Sequence, residues 1–113
     1  MELEIRTSLY DINNAIEEIE SFIGSEQNFT SFEADVKTKR AVERNLEIIG
    51  EAMSRILEKD DSINLTNARR VVDTRNRIIH GYDSVSADIL WNIIIKHLPV
   101  LKQEIQELLN KNP

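Results

Sequence analysis

The chain of 113 residues carries 20 acidic and 14 basic side chains, and contains three glycines, two prolines and no cysteine. This length suits one domain with its own hydrophobic core, so we predict a single domain over residues 1–113. The composition argues against a β-rich fold and against disorder, the lack of cysteine excludes disulfides and thiolate metal sites, and a formal net charge of −6 argues against nucleic-acid binding over the whole surface.

Apolar residues recur at spacings of three and four in the first part of the chain, which predicts an amphipathic helix that ends at Gly24. Thr30 and Glu33 then have the spacing of a capping box, so a short helical stretch is predicted to start there. A second long helix is predicted from about residue 36 to residue 57. Its apolar stripe consists of Val42, Leu46, Ile49, Met53 and Ile56.

A third helix is predicted to run to Gly81, and a last one to begin near Ser84 or Ser86. The stripe of the last helix consists of Leu90, Ile94, Leu98, Leu101, Ile105 and Leu108. Pro99 lacks a backbone N–H, which predicts a kink near residues 95–98. Amphipathic helices joined by short connections predict an all-α fold, an up-and-down bundle of four to five helices.

Some apolar residues lie beside these stripes. Ile48, Ala52 and Trp91 indicate a second apolar surface and therefore a homodimer interface. Trp91 is interpreted as an anchor of the core or of the dimer, with base stacking as the alternative. Gly50 is expected to permit close approach of a neighbouring helix, and Asn45 to make a buried structural hydrogen bond.

The densest apolar run, residues 89–95, is far too short to span a bilayer, and the first residues do not resemble a secretion signal. We therefore predict a soluble, cytoplasmic protein without a membrane partner. Conventional phosphate-loop, hydrolase and metal-binding motifs are absent from the sequence, so no metal site is expected. His97 is interpreted as a partly exposed residue on the flank of a helix.

Residues 66–82 form a basic segment, in which four arginines stand against one carboxylate, Asp73. Basic residues near a helix C-terminus commonly complement the helix dipole, which needs no ligand. Arg77 fits an RNA contact and a surface or interdimer ion pair equally well. Arg69 and Arg70 are interpreted as solvated residues.

The end of this segment can support chemistry. Asn76 and His80 are four residues apart, so they lie on one face of a helix, and the long side chain of Arg75 can reach their edge. An imidazole can remove the proton of a ribose 2′-hydroxyl or protonate the departing 5′-oxygen, and a guanidinium can stabilise the charge of the phosphorane. One histidine serves one role at a time, whereas a two-fold dimer would supply two.

Arg75, His80 and Tyr82 form an R-x4-H-x-Y pattern that resembles the HepT-like toxins of the HEPN superfamily. Three segments resemble helices of that family in the right order: "AVERNLEIIGEA" (41 to 52), "RNRIIHGY" (75 to 82) and "WNIIIKHLPVLKQEI" (91 to 105). The resemblance covers almost the whole chain. It implies a homodimeric helical domain of the HEPN fold that acts as a metal-independent endoribonuclease.

The resemblance also assigns roles to residues. It implies that Arg75 stabilises the phosphate, that His80 is the catalytic acid or base, and that Asn76 orients His80 or contacts phosphate. It further implies the toxin of a type VII-like toxin–antitoxin system, whose partner is a nucleotidyltransferase antitoxin similar to MntA. That partner would transfer AMP from ATP to Tyr82, while the toxin itself needs no cofactor. The alternative is a non-catalytic HEPN-type scaffold that binds a nucleotide or the nucleotidyltransferase.

Overall fold

The computed structural model describes residues 1–66, 68–80 and 86–112, and the described part of the chain is helical without strands. The helices are α1 (Leu3–Ile23), α2 (Phe29–Ala34), α3 (Val36–Lys59), α4 (Ala68–His80), α5 (Ala87–Asn92) and α6 (Leu98–Lys111). A π-helical segment, Ile93–His97, joins α5 to α6 without a break, so residues 87–111 form one continuous helical rod. The predicted all-α bundle is confirmed.

The core forms where the predicted stripes meet. Helix α3 packs against both α1 and α4, and α1 also packs against α6. All five predicted stripe residues of α3 are fully buried, as are Leu9, Ile12, Ile16 and Ile19 on α1. Burial of such side chains is the main source of stability in a bundle of this size. Helical periodicity therefore placed the central helices correctly.

Side-chain caps mark the starts of α2, α3 and α5. Asn28 caps α2 by accepting a hydrogen bond from the Ser31 N–H at 3.0 Å, and Asp35 caps α3 by accepting one from the Thr38 N–H at 3.1 Å. The capping box predicted at Thr30 and Glu33 was wrong, because both residues lie inside α2. Ser86 caps α5, which confirms one of the two predicted positions. These caps satisfy N–H groups that a helix leaves unpaired.

The rod of residues 87–111 contains a π turn where a kink was predicted. Pro99 supplies no N–H for the carbonyl group of Ile95, and one residue earlier the Leu98 N–H donates to the Ile93 carbonyl, five residues back. The polypeptide thus accommodates the proline with one wide turn. On either side of it the predicted stripe is retained, since Leu90, Ile94, Leu98, Leu101 and Ile105 are buried.

The residues that the sequence left beside its stripes are placed within the chain. Ala52 is fully buried, Ile48 packs against the core, and Trp91 packs against two rings of α2. The ring centroid of Trp91 lies 5.7 Å from that of Phe29 and 5.3 Å from that of Phe32. Ala52 was therefore wrongly predicted to lie on a second apolar surface, whereas Ile48 and Trp91 are half-buried and keep part of their apolar surface exposed. The homodimer itself stays a prediction.

None of the helices among the described residues combines the length and the apolar character that crossing a bilayer requires.

Candidate active site

Arg75 lies against α3 at Gly50, the only glycine of that helix. A Cβ atom on Gly50 would lie 2.7 Å from Arg75 Cγ and nearer still to Arg75 Cβ, a separation that real Cβ atoms essentially never show. The close approach predicted from Gly50 is thus confirmed, and its partner is the arginine of the motif. Packing between the two helices consequently fixes where the Arg75 side chain leaves α4.

Few of the donors of Arg75 are used by other described residues. Its Nη1 donates to Asn76 Oδ1 at 3.0 Å, and its Nη2 lies 3.8 Å from Glu51 Oε1. Its Nε is buried and has no hydrogen-bond partner among the described residues. A guanidinium carries five N–H donors, and the Arg75 side chain remains 28% exposed. The outer nitrogens can therefore still meet a phosphate from solution.

His80 is the last residue of α4, and its side chain is exposed. The structure thus places the imidazole at a helix end, where a ligand can reach it. Asn76 contacts Arg75, whereas a hydrogen bond from Asn76 to His80 is not among those of the described residues. Gly81 and Tyr82, including the predicted modification site, lie outside the described residues.

The side chains of Arg75 and His80 point in different directions from α4. Residues five apart on an α-helix are rotated by about 140° around its axis, so Arg75 and His80 leave α4 on different sides. Arg75 is directed at α3, as its contact with Gly50 shows. Helix geometry alone therefore does not bring the guanidinium and the imidazole of one chain onto the same atom.

A cleft of about 780 Å³ opens between α4 and the first part of the rod. Its lining, which we name the α4 cleft, consists of Arg70, Asp73, Thr74, Arg77, Asp88, Ile89, Asn92 and Ile93. The four α4 residues fall at spacings of three and four, and so share one face of that helix. Arg77 belongs to this cleft, as does Arg70, which the sequence had assigned to a solvated face. The side chain of Arg69 is not among those described.

His97 lies beside the α4 cleft and is linked to its wall. Its Nε2 is 3.3 Å from Asn92 Nδ2. Burial lowers the pKa of His97 below its usual value, and the positive charges of Arg70 and Lys96 lower it further. The neutral imidazole is therefore favoured near neutral pH, where its unprotonated nitrogen can accept from Asn92.

Two further predictions concern Asn45 and a metal site. Asn45 is buried, and its Nδ2 donates to the Ala41 carbonyl at 3.2 Å. This is the structural hydrogen bond that the sequence predicted. No group of three or more His, Cys, Asp or Glu side chains within residues 1–66, 68–80 and 86–112 is arranged to hold a metal ion.

Sequence reasoning missed two features of the site. Glu51 had no assigned role, although it directly follows Gly50 and lies near Arg75. The α4 cleft was also missed, because its second wall comes from another helix and no local motif announces it. The only available signal was the spacing of Arg70, Asp73 and Arg77 along one helical face.

Comparison with known proteins identifies the family of the chain. The family model described as "Ribonuclease HepT-like" matches residues 12–108. The chain is 34% identical over 109 residues to "Putative RNase MJ0127" of Methanocaldococcus jannaschii, which covers 94% of this chain and 88% of that protein. It is 38% identical over 101 residues to "Probable ribonuclease HepT" of Thermococcus cleftensis, which covers 88% of this chain and 91% of that protein. No solved structure gives a significant match. By its family match and these relatives, the chain belongs to the HepT-like ribonuclease family of the HEPN superfamily.

Proposed function

We propose that the protein is a metal-independent endoribonuclease whose active site combines Arg75 and His80 from two copies of the chain. The observation that carries this proposal is the seat of Arg75 on Gly50, which fixes the side chain while leaving its outer donors available. A phosphate-binding arginine needs both properties, because a fixed guanidinium stabilises developing charge without reorganising during the reaction. Membership of a ribonuclease family supports the same function.

The proposed chemistry uses the ribose of the RNA as the nucleophile. One His80 removes the proton of a 2′-hydroxyl, whose oxygen attacks the adjacent phosphorus and forms a new P–O bond. The bond from phosphorus to the 5′-oxygen breaks, and the departing oxygen receives a proton from the His80 of the other copy. Arg75 binds the non-bridging oxygens, which carry the added negative charge. The products are a 2′,3′-cyclic phosphate and a free 5′-hydroxyl.

The different directions of Arg75 and His80 on α4 support a site made by two copies. A two-fold axis beside the end of α4 would set each motif opposite its equivalent, so that groups from both chains face one phosphate. The dimer would also confine positive charge to one place on a chain whose formal net charge is −6. We predict that a monomeric variant loses cleavage.

We further propose that the protein is the toxin of a type VII-like toxin–antitoxin pair, regulated at Tyr82. An MntA-like nucleotidyltransferase would use ATP to attach AMP to the tyrosine hydroxyl and release pyrophosphate. The adduct adds a negative phosphodiester and a bulky nucleoside two residues after His80. Charge repulsion and steric hindrance would then keep RNA from the site.

Cleavage is tested with purified protein, free of its partner, on a mixed RNA pool in EDTA. Wild type is expected to cut the pool and leave 2′,3′-cyclic phosphate ends, whereas His80→Ala and Arg75→Gln leave it intact. Arg40→Gln is the matched control, because Arg40 is an arginine of α3 that pairs with Glu43 at 3.0 Å. If wild type and His80→Ala leave the RNA equally intact, the nuclease proposal fails and the scaffold alternative takes its place.

The regulatory step is tested by mass spectrometry after incubation with ATP and the product of a neighbouring nucleotidyltransferase gene. The expected result is one AMP added to wild type and none to Tyr82→Phe, with loss of cleavage only in wild type. Modification of Tyr10 instead of Tyr82 would contradict the proposal. Tyr10 is the only other tyrosine, and it is exposed on α1.

A further inference from the structure

The α4 cleft has the size and position of a substrate pocket. Its volume of about 780 Å³ falls within the range of small-molecule sites. Arg77, which lines it, is three residues before His80, so the two side chains are neighbours along one edge of α4. The cleft therefore leads towards the residue proposed to perform the acid–base chemistry.

The arginines of the α4 cleft differ from three arginines of α3. Arg40, Arg44 and Arg55 each form an ion pair with a carboxylate. Arg70 and Arg77 are exposed, and within the described ranges neither guanidinium has an ion-pair partner or a side-chain hydrogen bond. Two guanidiniums on one helical face, without a side-chain partner among the described residues, are suited to bidentate binding of phosphate oxygens.

The remaining lining is suited to a nucleobase. Ile89 and Ile93 provide apolar surface, while Asp73, Asp88 and Asn92 provide hydrogen-bonding groups. The aspartate carboxylates act only as acceptors when ionised, and an exocyclic amino group on a base is a donor that matches them. These two negative charges also offset the two arginines, so the cleft is not a general site for polyanions.

We propose that the α4 cleft binds one unstacked nucleotide of the RNA, with its phosphate on Arg70 or Arg77 and its base against Asp73, Asp88 and Asn92. This proposal rests on the proposed ribonuclease function and adds a subsite that selects the base. Adenine, cytosine and guanine carry an exocyclic amino group, whereas uracil carries only carbonyl oxygens at the corresponding positions. A carboxylate beside the exocyclic group accepts from an amino group and repels the carbonyl oxygen of uracil, whose only donor on that edge is N3–H, so the subsite discriminates against uracil.

Binding is measured in the His80→Ala background, where the RNA is not cut, by fluorescence anisotropy with short oligo(A), oligo(C) and oligo(U). Oligo(A) and oligo(C) are expected to bind at least about fivefold tighter than oligo(U), the lower end of the discrimination given by one good base contact. Asp88→Asn and Asp73→Asn should reduce that ratio. Arg70→Gln and Arg77→Gln should weaken all three RNAs alike, whereas the control Arg44→Gln should change neither affinity nor ratio.

Binding of AMP and CMP to the same variants distinguishes a subsite for RNA from a site for free nucleotides. Oligonucleotides are expected to bind much more tightly than the mononucleotides, because an RNA also reaches the Arg75 site. Equal affinities would overturn the assignment to RNA. Equal binding of the three oligonucleotides, or a ratio unchanged by Asp88→Asn, would overturn base selection.

Oligomeric state and activity complete the test. If Asp88→Asn or Arg77→Gln turns a dimer into a monomer, the cleft is occupied by a second copy and the proposal fails. Cleavage by wild type without base preference would sink the subsite alone. Base-selective binding by a protein that never cuts RNA would sink the nuclease proposal and leave the cleft as a nucleotide site.

Discussion

Gly50 and Arg75 pack so closely that a methyl group on the glycine would lie 2.7 Å from Arg75 Cγ. Replacing an interior helical glycine by alanine normally stabilises a helix by about 0.5–1 kcal/mol. Here the added methyl must push α4 away from α3 or displace the Arg75 side chain. We predict that Gly50→Ala lowers the free energy of unfolding by about 1–3 kcal/mol, the usual cost of overpacking, and abolishes RNA cleavage. Urea denaturation and the cleavage assay measure the two effects.

A double-mutant cycle identifies the cause. In an Arg75→Gly background the methyl group no longer meets a side chain, so Gly50→Ala should become neutral or stabilising. If Gly50→Ala lowers the free energy of unfolding equally in both backgrounds, the added methyl group clashes with another part of the protein and not with Arg75.

Glu51 lies 3.8 Å from Arg75 Nη2, and the two side chains are 42% and 28% exposed. A partly exposed pair of this kind contributes roughly 0–1 kcal/mol, so Glu51→Gln should barely change stability. Removing the carboxylate also removes a competitor for the guanidinium, and RNA binding in the His80→Ala background should become tighter. Anisotropy titrations at low salt would show this most clearly.

The matched control for Glu51 is Glu47→Gln, one turn earlier on α3. Glu47 pairs with Arg44 at 3.0 Å and should leave RNA affinity unchanged. Weaker binding after Glu51→Gln alone would mean that the carboxylate orients Arg75, in contrast to the competition predicted here.

The lowered pKa of His97 predicts how stability depends on pH. Burial is the main cause, followed by the charges of Arg70 and Lys96. Above the usual pKa of 6.5 the imidazole is neutral in both the folded and the unfolded chain. As the pH falls through 6.5, the unfolded chain binds the proton first, and stability falls until the folded chain is protonated too.

His97→Asn should therefore lose less stability than wild type between about pH 7.5 and about pH 5.5, as measured by urea midpoints. Arg70→Gln should raise the pKa of His97 towards its usual value, because a positive neighbour is removed. An NMR titration of the imidazole would detect that change. If the pKa of His97 is the same in Arg70→Gln and wild type, the charge of Arg70 does not act on His97.

The aromatic cluster of Phe29, Phe32 and Trp91 predicts a structural role for the tryptophan. Phe32 is only 4% exposed, and Phe32→Ala should lower the free energy of unfolding by about 3–5 kcal/mol. Trp91→Phe keeps a ring against α2 and should cost much less. RNA affinity should be the same in wild type and Trp91→Phe. If a base did stack on Trp91, the substitution would make RNA binding detectably weaker.

Periodicity was sufficient to predict the long helices, because their buried positions repeat with the helical period. The stripe of α3, from Val42 to Ile56, is fully buried, and Gly24 ends α1 as predicted. Capping was harder, since several short polar residues compete for the start of α2. Thr30 and Glu33 fit a local pattern, but Asn28 makes the hydrogen bond.

The motif residues were predicted from the sequence, whereas their surroundings depend on contacts between helices. The sequence indicated that Gly50 allows close approach, but only the packing of α3 on α4 identifies Arg75 as its neighbour. Arg70 looked solvated because Asp88 and Asn92, on the far side of the cleft, lie 18 and 22 residues further along the chain, on another helix. Single-sequence patterns do not contain that relationship.

The π-helical turn at Ile93–His97 determines how α5 is rotated about the helix axis relative to α6. An α-helix turns by about 100° per residue, so one inserted residue is enough to reorient a whole helix. Deleting one residue from this segment would restore ordinary helical winding and rotate Asp88 and Asn92 relative to α6. The hydrophobic stripes beyond Pro99 would keep their place while the cleft lost its second wall. If the α4 cleft binds RNA as proposed, such a deletion would remove the contacts to Asp88 and Asn92 while Arg70 and Arg77 stay in place on α4.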